Sequence, residues 1–184
     1  MNNYLFHLLN DLAGRNSLSD EAIVFFASSF GLVILGGLLV FLFRHKDVPR
    51  GARDTVVVLS AAVCAWGLAL FFKWLFAEPR PFLALSDVHL VITPGVLDGG
   101  GSSFPSGHTA FFASIAGSLY FYHKRIAVFF ALAAFLVGLA RVTAGIHWPV
   151  DILGGYILGF AIGMGAYALF TLSAQKLPRS EKLH

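Results

Sequence analysis

The chain predicts an all-α fold, an integral membrane helical bundle of about five transmembrane helices with an N-terminal helix lying along the interface. Three observations carry that expectation. Only 12% of the 184 residues are charged and 57% are hydrophobic, with a mean hydropathy of +0.75, where a soluble domain carries about 25% charged residues. The apolar residues gather into about five stretches near the 17–25 residues that cross a bilayer core. The basic residues fall in short segments between those stretches, a membrane topology signal.

The elements follow in order. In Met1–Gly14, Tyr4, Leu5, Leu8, Leu9 and Leu12 share one helical face, while Asn2, Asn3, Asn10 and Asp11 are polar. That is the pattern of a helix lying flat on a membrane. With neither a basic leading segment nor a long apolar core, it does not read as a signal peptide. Ser17, Ser19, Asp20 and Glu21 offer an N-cap and an acidic first turn to the first span, Ala22–Phe43. The others run Thr55–Ala77, Gly107–Tyr122, Ile126–Ala144 and Asp151–Ser173, the third being the shortest. One domain over residues 1–184 is expected, with an interfacial helix and linker at 1–20, an outer loop at 78–106 and a cytoplasmic tail at 174–184.

Orientation comes from the loops. Arg44, Lys46, Arg50 and Arg53, then Lys124 and Arg125, then Lys176, Arg179 and Lys182 all fall on one side of a five-span chain. The positive-inside rule makes that side cytoplasmic. The formal charge of +3 is thereby a topology signal, and nucleic acid is not an expected partner. Cys64 is alone, which excludes a disulfide framework and a cysteine-based metal site. The outer loop holds Pro79, Pro81, Pro94 and the run Asp98-Gly-Gly-Gly-Ser-Ser103. It reads either as a connector or as a loop that moves when a bulky head group enters. Asp87 and Asp98 read as solvated loop residues, with tuning of the outer entrance as the alternative.

Three polar clusters then stand out at the span ends. Ionisable groups near lipid are costly and mark functional sites. In Lys73-x6-Arg80-Pro81, Lys73 lies about one turn inside the second span, where snorkelling would also explain it. Arg80 sits in a proline-bounded turn, its guanidinium suited to forked phosphate recognition. Glu78 is placed to pair with either base. In Pro105-Ser-Gly-His108, Ser106 is a plausible N-cap, and a helix N-terminus with its open amides binds anions. Gly107 lets an oxyanion approach the backbone. In Arg141-x5-His147-x3-Asp151, Pro149 suits a first helical turn and sets Asp151 about one turn from His147. A carboxylate there orients an imidazole, leaving the other nitrogen free to attack. Arg141, about two turns before the outer end of the fourth span, calls for an anion, either a ligand or Asp151. On a five-span topology all three clusters reach one outer face, which describes a phosphate cradle around a His–Asp pair.

In this order and spacing the motifs resemble those of the type 2 phosphatidic acid phosphatases, integral membrane lipid phosphatases whose active-site pattern is shared with vanadium haloperoxidases. The Glu78-Pro-Arg-Pro-Phe82 form is similar to that of bacterial undecaprenyl pyrophosphate phosphatases of the bacitracin-resistance type. The resemblance implies that His147 is the nucleophile, Asp151 its orienting partner and His108 the general acid. It further implies that Lys73, Arg80 and Arg141, with Ser106 and the Gly107 amide, hold the phosphate. No cofactor and no metal are implied. The expected partners are a lipid phosphate and the bilayer, with the active site facing the outside of a bacterial inner membrane. Undecaprenyl pyrophosphate is the first substrate, with phosphatidylglycerophosphate, phosphatidate or transfer to a lipid acceptor as alternatives. Ala140 departs from the family, which usually has serine before the third-motif arginine.

Overall fold

The chain is described by a computed structural model over residues 1–43, 48–95, 98–121 and 123–176, with side chains placed outside 41–53 and 173–176. Every regular element of more than one residue among these is helical. The basic residues Arg44 and Lys46 and most of the expected tail, with Arg179 and Lys182, lie outside the described residues.

Helix α1, Asn2–Asn10, packs Phe6 against Trp148 with ring centroids 5.2 Å apart, while Tyr4 and Leu8 stay exposed. Asn10, grouped by sequence with the polar face, is instead fully buried. Its Nδ2 donates to the carbonyls of His89 (2.8 Å) and Thr143 (2.9 Å), and its Oδ1 accepts from the His89 amide (2.9 Å). An amide side chain carries both donors and an acceptor, so it satisfies backbone groups that a helix end and a loop leave open. That latch docks α1 on the bundle.

Helix α2, Ser17–Val24, is capped by Asn16 rather than by Ser17. Extended backbone at Asn16 turns its Oδ1 onto the Ser19 amide (2.9 Å), the geometry an N-cap needs. The Asp20 carboxylate accepts from the Gly14 amide. The helix continues through a π turn, Phe25–Ser29, into α3, Phe30–Phe43.

Then come α4 (Val48–Phe76), the short α5 (Pro81–Ala84), α6 (Gly107–Leu119), α7 (Lys124–Thr143) and α8 (Pro149–Lys176). Among the described residues, four segments are long and apolar enough to cross a membrane: Ser17–Val40, Asp54–Phe76, Lys124–Thr143 and Pro149–Leu172. The expected third span is the short α6, whose 13 residues rise only about 20 Å at 1.5 Å each. Nearly all of it is buried, between α4, α7 and α8. A helix sheathed by protein does not have to match the hydrocarbon thickness. Ile34, Leu38, Val58, Phe112, Ile115, Phe130 and Val137 form the main core around it.

The contact between α6 and α8 is backbone on backbone. A Cβ at Gly159 would stand 2.1 Å from the Ala110 carbonyl oxygen, and one at Gly163 would stand 2.2 Å from that of Ser114. Hydrogen at these positions lets the helices touch, as small residues do in membrane bundles. The same approach brings the Ser106 amide to the Asp151 carbonyl (3.0 Å), so the starts of α6 and α8 are tied together.

Candidate active site

Four helix ends and one loop meet at the site. The end of α4 supplies Lys73, and the turn into α5 supplies Arg80. The start of α6 supplies Ser106, Gly107 and His108. Arg141 lies in the last turn of α7, which ends at Thr143, so it is under one turn from the helix end and not the two turns expected. His147 and Asp151 bracket the start of α8. The sequence-derived set is thus brought together, and Lys73, Arg80, Ser106, Arg141, His147 and Asp151 are all buried.

The His147–Asp151 pair has the predicted form. His147 Nδ1 lies 3.0 Å from Asp151 Oδ2, which also accepts from the Trp148 amide (2.7 Å). One carboxylate oxygen so held fixes the ring and directs Nε2 away from it. His147 Nε2 stands 3.5 Å from Arg80 Nη1. Burial first, then the charges of Lys73, Arg141 and Arg80, hold the His147 imidazole well below its ordinary value. The ring is therefore neutral at physiological pH.

The cations are clamped by carbonyls. Arg80 donates from Nε to Gly100 O (2.7 Å), from Nη1 to Ile146 O (2.8 Å) and from Nη2 to Asp98 O (2.7 Å). Burial pulls its guanidinium down to about 10, with Asp98 opposing that fall and Arg141 adding to it. It stays charged. Lys73 Nζ donates to Ser103 O (2.6 Å) and Ser102 O (3.1 Å), so it turns inward and does not snorkel. Arg141 donates to Ala27 O on the π turn (3.1 Å) and to the Asp98 carboxylate. Its Nε is buried without a hydrogen-bond partner among the described residues, a donor that calls for an acceptor. Glu78 is exposed and forms no ion pair among the described residues, because carbonyls already occupy both bases it was placed beside. The loop is anchored there by Ser103 N donating to Glu78 O (2.8 Å) and Arg80 N to Gly101 O (3.2 Å).

At the start of α6, Ser106 is the N-cap, with its Oγ accepting from the Thr109 amide (3.4 Å) and hydroxyl (3.0 Å). The Ser106 hydroxyl proton and the first-turn amides, Gly107 included, remain as donors. Trp66 backs Gly107 closely enough that a Cβ would meet its ring at 3.0 Å. His108 borders an apolar cavity of about 220 Å³ lined by Gly31, Leu35, Trp66, Phe111 and Phe112. The cluster thus joins a cationic cradle to a greasy groove.

Asp98 was read as solvated, and the structure corrects this. Its carboxylate pairs with Arg141 and lies 3.4 Å from His108 Nδ1. Burial would push that carboxyl up, but Arg141, His108 and the Gly95 amide outweigh it and hold it below its ordinary value. The one sequence signal was Asp98-Gly-Gly-Gly itself, an acid followed by residues that let the backbone fold over it. The carboxylate that pairs with Arg141 is therefore Asp98, not Asp151.

Residues 52–174 match the PAP2 superfamily, and the chain belongs to it. A Bacillus subtilis (strain 168) protein named undecaprenyl-diphosphatase BcrC is 27% identical over 167 residues, 89% of this chain and 81% of that one. Bacitracin transport permease protein BcrC of Bacillus licheniformis is 29% identical, over 84% of this chain and 73% of that one. The crystal structure of Aquifex aeolicus LpxE superposes with a TM-score of 0.69 at 30% identity, covering 91% of this chain and 94% of that one. The chain is a multi-pass membrane protein and a lipid phosphatase of this superfamily.

Proposed function

We propose that this phosphatase converts undecaprenyl pyrophosphate to undecaprenyl phosphate on the outer membrane face through a phosphohistidine at His147. The observation that carries the reading is His147 itself, a neutral buried imidazole with Nδ1 held by Asp151 and Nε2 beside Arg80. Similarity to the undecaprenyl-diphosphatase BcrC supports the substrate. Lys124 and Arg125, at the opposite end of α7 from Arg141, support the orientation.

The steps follow from the geometry. The terminal phosphoryl group lies among Lys73, Arg80 and Arg141, with Ser106 Oγ and the Gly107 amide donating to its oxygens. His147 Nε2 attacks phosphorus in line as the bond to the bridging oxygen breaks. That electron pair leaves with the lipid phosphate, which takes a proton from His108. Water then attacks the phosphohistidine and gives its proton to His108. The P–N bond breaks, its pair returns to Nε2, and inorganic phosphate departs. Three fixed cations and a helix terminus stabilise the charge on the transferred group, so no metal is needed as an electrophile. The apolar groove beside His108 lies on the side where the leaving group carries its chain.

The test is rapid acid and alkaline quench of enzyme turning over undecaprenyl pyrophosphate labelled in its terminal phosphate. Alkali-stable, acid-labile label on the wild type, and none on a folded His147→Ala variant, is expected. Label on the variant refutes the nucleophile. Phosphate release from phosphatidylglycerophosphate and phosphatidate, run alongside, tests the substrate. Faster turnover of either one overturns that assignment.

A further inference from the structure

We propose that Asp98 is a positioning residue for the general acid, its carboxylate joining Arg141 to His108 Nδ1, orienting the ring and favouring its charged form, with Nε2 available to the leaving oxygen. The inference rests on the reading of His108 as that acid. The loop carboxylate does for His108 what Asp151 does for His147, each standing at Nδ1 of its imidazole, at 3.4 and 3.0 Å.

The carboxylate is fixed on every side. One oxygen, Oδ1, meets both Arg141 and His108, while Oδ2 accepts from the Gly95 amide (3.0 Å). The Asp98 carbonyl accepts from Arg80 Nη2 (2.7 Å), which fastens the backbone to the cradle. A carboxylate so held is a fixed charge and not a mobile counterion.

His108 needs such a charge. Burial first, then Arg141 from α7, Lys73 from α4 and Arg80 from the turn before α5, pull its imidazole well below the ordinary value, and the Asp98 carboxylate opposes that fall. The His147–Asp151 pair from the start of α8 completes the surroundings. Asp151 is engaged by His147 and the Trp148 amide, so Asp98 is the acid that faces His108 directly. Without it, no carboxylate would oppose burial and three cations at a group required to donate a proton. The carboxylate also balances Arg141, so one residue serves the cradle and the acid together.

Leaving-group chemistry separates these duties. A phosphomonoester lipid expels an alkoxide and needs the proton. Undecaprenyl pyrophosphate expels a phosphate, whose second ionisation lies at about 6, and needs it less. In Asp98→Asn, kcat for phosphatidate is expected to fall about 100-fold, in the range of general-acid effects. The fall with undecaprenyl pyrophosphate or p-nitrophenyl phosphate is expected to stay below about tenfold. The alkaline limb of kcat against pH moves to lower pH, because loss of the carboxylate lowers the pH at which His108 gives up its proton.

His108→Asn is measured alongside. If it shows no leaving-group dependence, His108 is not the acid and the parent reading fails. If it shows that dependence and Asp98→Asn does not, only the present inference fails. An equal loss on all substrates with an unmoved alkaline limb makes Asp98 a support for Arg141 alone, and overturns the proposal. A lower KM with undiminished kcat makes it a competitor of phosphate, and overturns it too. Should Asp98→Asn not fold, Asp98→Glu retains the charge and is expected to hold the alkaline limb. A folded Glu variant with that limb displaced overturns the proposal equally.

Discussion

Gly159→Ala tests whether the packing of α6 on α8 sets the reacting geometry. The added Cβ would lie 2.1 Å from the Ala110 carbonyl oxygen and 2.9 Å from its Cα, whereas real Cβ contacts stay beyond 3.0 Å. The obstacle is backbone, so the helices must separate by about 0.9 Å. Overpacking of this kind costs about 1–3 kcal/mol. Eight residues before Gly159, Asp151 is tied through its carbonyl to Ser106, so separation carries His147 and Asp151 away from the start of α6. A displacement of about 1 Å lowers turnover on the order of 100-fold. The control lies on the same helix. Gly165 has nothing within 4 Å of its would-be Cβ, so Gly165→Ala gains helix propensity worth about 1 kcal/mol and disturbs nothing. The assays are phosphate release in detergent micelles and thermal unfolding of the same samples. Gly159→Ala is expected to lose both activity and stability while Gly165→Ala keeps the first and gains in the second. Equal behaviour of the two variants refutes the argument.

Three further outcomes are expected. Asp151→Asn, assayed by steady-state phosphate release, should lower kcat by up to about 10⁴-fold by presenting the wrong tautomer at Nδ1, with unfolding curves showing the fold retained. His147 is held below its ordinary value when folded, so as pH falls below about 6.5 only the unfolded chain takes up its proton. Stability should then decline by up to about 1.4 kcal/mol per pH unit on this account, and thermal melts of His147→Asn should show a shallower decline. Asn10→Ala leaves three backbone groups without their partner, each costing about 1–3 kcal/mol where water does not replace it. It should lower the melting temperature and open the α1 segment to limited proteolysis.

Much of this arrangement was legible in the chain. Apolar run lengths mark the spans because lipid imposes a length, and the order of Lys73, Arg80, His108, Arg141, His147 and Asp151 marks the cradle because charge near lipid is rare. What escaped was set by tertiary approach. Asp98 meets Arg141 across 43 residues of chain, and no local pattern encodes that meeting. Asn10 looks polar and exposed on a helical wheel, yet its partners at His89 and Thr143 lie far along the sequence. The cap of α2 moved one residue because Asn16 adopts extended backbone. Helix α6 proved short because protein, not lipid, surrounds it.

The π turn at Phe25–Ser29 has a consequence for length variation. It accommodates a surplus residue within an otherwise regular helix, and it carries the Ala27 carbonyl that receives Arg141. Deleting one residue there would restore regular winding with the upstream residues on their present faces, but it would withdraw the bulged carbonyl from Arg141. Insertions and deletions are usually harmless in loops, but in this protein a single-residue change inside a membrane helix would undo a guanidinium clamp.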